Sequence, residues 1–303
     1  MIRFSTFVLG LTLALSLAGE SGAAITFVPG HTYATQYSSN TIQQYDANGT
    51  VVGSASAPGE TRGVAFGNDG LLYTTILPAA PARGFTVRAF DTSMNAVHTF
   101  TNASTYMHGN TTYGQLALDA NYVYVAGQGI LHRFDRSNPA APAVSIYNGN
   151  QVHDVETLPN GNLLVLEAYE VREITPSGSF VREINYGFTD NRSVEYDPGT
   201  NSVFVSHFGN TGSPIELMRF DYASFAYTGG STAMALDLFV TADGKLLANG
   251  AGPRVFNMNM ELIDTFDGGA RTFVTQMVVP EPSGLAALAV TGACLLVRRR
   301  CRA

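Results

Sequence analysis

The stretch Arg62–Thr75, RGVAFGNDGLLYTT, joins two short apolar runs through a tight-turn tetrapeptide, Gly67-Asn68-Asp69-Gly70, and the chain repeats that grammar. HDVETLPNGNLLVLEA (153–168), RSVEYDPGTNSVFVSH (192–207) and LDLFVTADGKLLANG (236–250) align with it on the turn, and GQLALDANYVYVAG (114–127) is a weaker copy. Asn, Asp, Gly and Pro at the bend tolerate positive φ or preset the turn, so each copy reads as a β-hairpin. A second hairpin follows each copy. Its first strand ends in an aromatic–polar pair: Phe90-Asp91, Phe134-Asp135, Phe220-Asp221 and Phe256-Asn257, with Tyr45-Asp46 near the N-terminus and Ile174-Thr175 replacing it once. An aspartate there can accept bonds from turn amides two residues on, which is a structural role.

Each unit is therefore four short strands over about 35–45 residues, the period of a propeller blade. Full copies fall at 62–100, 113–147, 152–185, 191–228 and 235–266. Two leftovers complete the count. Thr32–Gly53 supplies strands without a first strand, and Arg271–Val279 supplies a strand without a blade. Joined, they make a sixth blade and remove an exposed sheet edge. The expectation is an all-β, six-bladed β-propeller closed by its N- and C-terminal strands; a sandwich or β-helix is the structural alternative. Alternating helices and strands are missing, which excludes a parallel sheet covered by helices.

Composition agrees with an all-β reading. Tyr and Phe together number 32 and Gly 31, Trp is absent, and charged residues are 14% of the chain, against roughly 25% in typical soluble domains. The net charge of -7, with Lys245 the single lysine, argues against a nucleic-acid partner, which requires basic patches. Both cysteines, Cys294 and Cys301, sit in the last ten residues, so the body has no disulfide and no thiolate metal site.

The ends carry address rather than fold. Arg3, the apolar run Phe7–Leu17 and the small residues Ser21-Gly22-Ala23 read as a cleaved secretory signal over residues 1–24. At the other end, Pro280-Glu281-Pro282-Ser283 precedes the apolar Gly284–Val297 and the cluster Arg298-Arg299-Arg300. Those apolar residues give about 21 Å of helix, short of the ~30 Å hydrocarbon core but extendable by snorkelling arginines. The arginines favour the cytoplasmic side.

The order Pro-Glu-Pro, short apolar helix, arginine cluster resembles the PEP-CTERM sorting signal of Gram-negative bacteria. The resemblance implies processing by an exosortase near Pro280–Ser283, passing contact with the inner membrane, and delivery of residues 25–279 to the cell surface or medium in exopolysaccharide-producing species. The repeat text, clearest as G-V-A-F-x-x-D-G-x-L-Y-x-T, resembles the NHL and gluconolactonase-like six-bladed propellers, and it supports fold more than activity.

In a propeller the innermost strand of each blade begins at one face, where the loop between the second and third strands also opens. The residues that this geometry puts there are Arg62, Gln115, His153, Asp154, Arg192, Ser193 and Asp237 at strand starts, and Glu167, Tyr169, Glu170, His207, Asn210 and Asn249 in the loops. Asp154, Glu167, Asp237 and Asn249 are candidate oxygen ligands for Ca2+ or another divalent cation. His153, Glu167 and His207 are candidate acid–base groups. The bland alternative is that these side chains pair with Arg62 and Arg192 and hydrate the channel. Tyr37, Tyr106, Tyr147, Tyr169, Tyr186, Phe208 and Tyr227 are candidate aromatic contacts to sugar or protein. The favoured expectation is a non-enzymatic surface or matrix protein that binds exopolysaccharide or protein. The competing one is a secreted lactonase-like or lyase-like enzyme with a divalent cation at the channel.

Overall fold

The computed structural model describes residues 23–36, 39–78, 84–102, 114–185, 187, 190–207, 216–233, 235–249, 253–266 and 273–277. The expected signal peptide up to residue 22, the sorting motif Pro280–Ser283 with Arg298–Arg300, and Tyr37, Tyr106, Tyr186, Phe208 and Asn210 lie outside the described residues.

The described chain forms only strands, grouped in six four-stranded antiparallel sheets. Blade 1 contains β1 (Thr32–Thr35), β2 (Thr41–Tyr45) and β3 (Val51–Ser56). Blade 2 is β4 (Glu60–Phe66), β5 (Leu72–Leu77), β6 (Phe85–Phe90) and β7 (Ala96–Asn102). Blade 3 is β8 (Leu116–Leu118), β9 (Tyr122–Gly127), β10 (Ile130–Asp135) and β11 (Val144–Asn148). Blade 4 is β12 (Asp154–Thr157), β13 (Leu163–Leu166), β14 (Glu170–Ile174) and β15 (Phe180–Asn185). Blade 5 is β16 (Asn191–Asp197), β17 (Ser202–His207), β18 (Leu217–Asp221) and β19 (Tyr227–Ser231). Blade 6 is β20 (Asp237–Val240), β21 (Lys245–Asn249), β22 (Arg254–Asn257) and β23 (Leu262–Thr265). The last strand, β24 (Phe273–Gln276), returns to blade 1 and pairs antiparallel with β1, Thr32 opposite Gln276 and Thr35 opposite Phe273. The two sequence leftovers thus form one blade, in the order β24-β1-β2-β3.

The innermost strands β4, β8, β12, β16, β20 and β24 neighbour one another in a closed ring around an axis. Each junction between blades has its own apolar cluster. Between blades 2 and 3, Tyr73, Phe85 and Phe100 pack on Val123, Val125 and Phe134; between 4 and 5, Leu164 and Leu166 pack on Val203, Val205 and Met218. Second strands are covered on both sides, which is why β13 reads as the unbroken apolar run LLVL and is buried throughout. Alternate residues of β9 serve opposite neighbours: Val123 and Val125 face blade 2, while Tyr124 and Ala126 face blade 4.

The aromatic–polar pairs close the outer turns as expected. Asp91 Oδ1 accepts from the amides of Ser93 and Asn95, both at 2.9 Å; Asp46 Oδ1 accepts from Asn48 and Thr50, and Asn257 Oδ1 from Asn259 and Glu261, in the same pattern. Thr175 substitutes its hydroxyl, which accepts from Ser179 N at 3.1 Å.

Two glycines of the opening repeat do different work. Gly70 lies in the hairpin turn at φ +76° with open space where a Cβ would sit. Gly63 lies where β4 meets the start of blade 3: its amide donates to Gly114 O at 3.1 Å, and a Cβ would fall 2.5 Å from that oxygen. Gly63→Ala should therefore cost more than Gly70→Ala, about 1–3 kcal/mol for forced backbone separation against about 1 kcal/mol for left-handed strain. Urea unfolding of the two variants tests this, and equal losses would contradict the close approach at blade 3.

Candidate functional site: an acid-lined axial cavity

The innermost strands form the ring's inner edges, so their backbone N–H groups point towards the axis without a strand partner. On one half of the ring, carboxylates of the preceding blade accept from them. Asp154 Oδ2 accepts from Val194 N at 2.8 Å, Glu195 Oε1 from Val240 N at 2.8 Å, and Asp237 Oδ2 from Val274 N at 2.7 Å. These bonds link β12 to β16, β16 to β20, and β20 to β24. On the other half, threonine hydroxyls answer inner-strand carbonyls instead: Thr35 Oγ1 donates to Arg62 O at 2.8 Å, and Thr157 Oγ1 to Leu118 O at 3.3 Å.

Aligning the inner strands on their turns puts these side chains in two layers. The first contains Gly63, Gln115, Asp154, Ser193 and Asp237; the second, two residues on, contains Ala65, Ala117, Glu156, Glu195, Phe239 and Thr275. In the first layer Ser193 Oγ lies 2.8 Å from Asp154 Oδ2 and 3.3 Å from Asp237 Oδ1. Gln115 Nε2 donates to Asp237 Oδ1, a bond that crosses the channel between the opposed blades 3 and 6. The second layer lines a cavity of about 470 Å³. Its wall runs on to the hairpin turns at Asn68 and Asp119, so it faces the side of the ring opposite the strand starts.

The cavity wall includes Asp119, Asp154, Glu156, Glu195 and Asp237, and among the described residues no Lys, Arg or His. Burial dominates the chemistry of the four acids on the inner strands, Asp154, Glu156, Glu195 and Asp237. It pushes Asp154 from 3.8 up to about 7, against the pull of its amide and hydroxyl bonds. It pushes Glu156 from 4.5 up to about 8, with the Asp154 charge adding to it. Glu195 and Asp237 are raised well above the usual carboxylate range, first by burial and next by the neighbouring carboxylates Glu156 and Asp154 respectively. Near neutral pH these groups hold protons that exposed carboxylates have lost.

Of the residues singled out in the sequence, Gln115, Asp154, Ser193 and Asp237 come together in this network. The others do not join it. Arg62 pairs with Glu60 and Arg192 with Asp190, each at 2.6 Å, so neither guanidinium serves Asp154 or Asp237 through these pairings. Glu167 is buried beside blade 3, accepting from Tyr147 Oη and, at 2.8 Å, from Asn150 N. His153 is buried, and burial followed by the Arg192 charge pushes it down to about 3, so it stays neutral. His207 is buried opposite Asn191. Asn249 is buried opposite Asp237 in register, with both amide atoms lacking a hydrogen-bond partner. Among the described residues no three His, Cys, Asp or Glu side chains are placed to hold a metal ion.

Glu156 and Glu195 were not singled out from the sequence. Their signal was present: at that repeat position the remaining copies carry Ala, Ala, Phe and Thr, and an acid between apolar neighbours on a strand is costly unless bonded or used.

A raised carboxyl pKa favours the folded state most below the unfolded value, and that contribution is lost as pH rises through the folded value. For Asp154 and Glu156 the window runs from about 4 to about 8. Glu156→Gln, which removes the charge and keeps the shape, should flatten the fall in stability across this window and raise Tm at its upper end, by roughly 2–4 °C per kcal/mol regained. Thermal melts at stepped pH measure it; a variant that follows the wild-type profile throughout would contradict burial of the charge.

No protein-family model matches the chain, and no curated protein matches it by sequence. Among solved structures, it is similar to a protein of unknown function from Bacteroides caccae, at 13% identity and a TM-score of 0.61, over 82% of this chain and 98% of that one. A second similarity is to the dihydro-heme d1 dehydrogenase NirN in complex with DHE, at 14% identity and a TM-score of 0.47, over 82% of this chain and 57% of that one. At such identities the shared property is the fold: this chain is a six-bladed β-propeller.

Proposed function

We propose that the chain is an exported binding protein of the cell surface or extracellular matrix. Residues 1–24 direct export, an exosortase processes the tail at Pro280–Ser283 after it has engaged the inner membrane, and the propeller of residues 25–279 holds exopolysaccharide or a surface protein.

The observation that carries the binding reading is Tyr169, in the loop between the second and third strands of blade 4. Its side chain is left 49% exposed on the face where the inner strands begin. Glu170 and Arg172 follow it directly and pair at 2.5 Å. A half-exposed aromatic ring flanked by hydrogen-bonding charged groups offers the stacking face and polar rim that a sugar ring or a protein surface requires. Groups suited to acid–base chemistry on the same face have other employment: Glu167 accepts a backbone amide and a tyrosine hydroxyl, and His153 is held neutral. This favours binding over the lactonase-like or lyase-like alternative.

Co-sedimentation of the purified protein with exopolysaccharide from the exporting cell tests the reading. Tyr169→Ala should weaken retention by about five-fold or more, the loss of a contact worth at least ~1 kcal/mol. Unchanged retention by the variant, or calcium-dependent turnover of a lactone by the wild type, would overturn it.

A further inference from the structure

The axial cavity faces the opposite side of the ring from Tyr169, and its chemistry is unbalanced. At about 470 Å³ it falls within the size range of small-molecule sites. Three inner strands bring acids to it: buried Asp154 and half-buried Glu156 on β12, and buried Glu195 on β16 and Asp237 on β20. The turn after β8 adds Asp119, and the wall segments from β4 and β24 carry no charged side chain. Buried acids ordinarily have a cation beside them, and among the described residues no cationic side chain lines this cavity.

Backbone bonding satisfies the acids unevenly. Asp154 accepts from two amides and a hydroxyl, whereas Glu195 accepts from one amide and Glu156 from the Thr157 amide, with the Thr157 hydroxyl, which donates to Leu118 O, 3.5 Å away. The deficit therefore sits in the second layer, which lines the open part of the cavity.

An independent observation points the same way. Gln115 lines the cavity and is 2% exposed. Its amide nitrogen donates to Asp237, while its carbonyl Oε1 has no hydrogen-bond partner among the described residues. With Asp237 ionised, as a bound cation requires, the reverse amide orientation would set carbonyl against carboxylate, so the orphan is then an acceptor, and a buried acceptor calls for a donor. The two layers are two residues apart, about 6.6–6.8 Å along a strand. A four-carbon chain with an ammonium group at each end spans that distance, and Phe66, Leu118 and Phe239 give its methylenes an apolar wall.

We propose that the axial cavity binds a short aliphatic diamine, with one ammonium group held by Glu156 and Glu195 and the other reaching the Gln115 carbonyl beside Asp237. A divalent metal fits less well, since among the described residues no three acidic groups converge on one point. The amine must displace the protons that burial keeps on these acids, so binding tightens as pH rises through about 7 to about 8 and releases protons.

Calorimetric titration of the full-length protein in mild detergent, with putrescine, butylamine, butanediol and calcium chloride as probes, tests the site. Putrescine should bind roughly ten-fold or more tightly than butylamine, and butanediol not at all. Its affinity should rise from about pH 6 to about pH 8.5, with proton release read from buffers of different ionisation enthalpy. Glu156→Gln and Glu195→Gln should each weaken putrescine roughly ten-fold while melting no lower than the wild type. Equal affinity for butanediol would overturn the proposal in favour of a plain apolar cavity. Calcium binding that both variants abolish, without putrescine binding, would replace the amine with a metal. No putrescine heat at the higher pH would also overturn it. None of these results touches Tyr169, on the other face.

Discussion

The pairing of β24 with β1 decides whether this protein has an axis at all. Four residue pairs, from Thr32–Gln276 to Thr35–Phe273, join the two ends of the propeller. The entropy of closing so long a loop grows only logarithmically with its length, so distance in sequence is a small obstacle. The return is large. Without β24, β1 would present a free edge and the apolar side chains Leu247 and Val255 of blade 6 would lose Val274 as a partner. Asp237 would also lose the Val274 amide that it accepts from, and a buried carboxylate would be left with fewer donors.

Closure creates a second problem at the centre. Six inner edges converge with unpaired backbone donors, and the ring answers them differently on its two halves. From β24 through β4 to β8 the first two layers are built largely from neutral residues, Gly63, Ala65, Gln115 and Ala117 among them, and backbones approach closely, as at Gly63 and Gly114. From β12 through β16 to β20 the answering groups are carboxylates. A hydroxyl or an amide oxygen could accept from the same donors with less desolvation. The choice of Asp and Glu on one half is therefore more than edge capping requires, and it sets a local field that the fold alone does not need.

The fold was legible because its signals are local. The turn tetrapeptide at 67–70 and the Asp or Asn after each outer aromatic residue fix hairpins within a few residues, and the structure shows those side chains bonded to their own turns. Closure was legible by subtraction, since a blade lacking a strand and a strand lacking a blade remained after the full repeats. The site was only half legible. Strand starts point to Gln115, Asp154, Ser193 and Asp237, which do meet, whereas Glu156 and Glu195 lie two residues further along, towards the opposite face. In HDVET and RSVEY the acid alternates with apolar neighbours, the pattern of a strand with one solvated side. On the innermost strand of a closed ring that side is turned to the next blade and the axis, so the same alternation signals burial. Sequence periodicity reports which residues share a side; only closure decides what that side meets.

The same reasoning bears on how stability and binding divide within the molecule. The blade junctions are apolar, interlocked and distributed around the ring, so the ring does not depend on its axial acids for cohesion. Those acids oppose folding whenever they are ionised, because burial raises every one of the four. A sequence that breaks a local rule and gains nothing for the fold is expected to do so where something binds. The half-ring from β12 to β20 is such a place, and its unfavourable charge becomes favourable only when a cation enters the cavity.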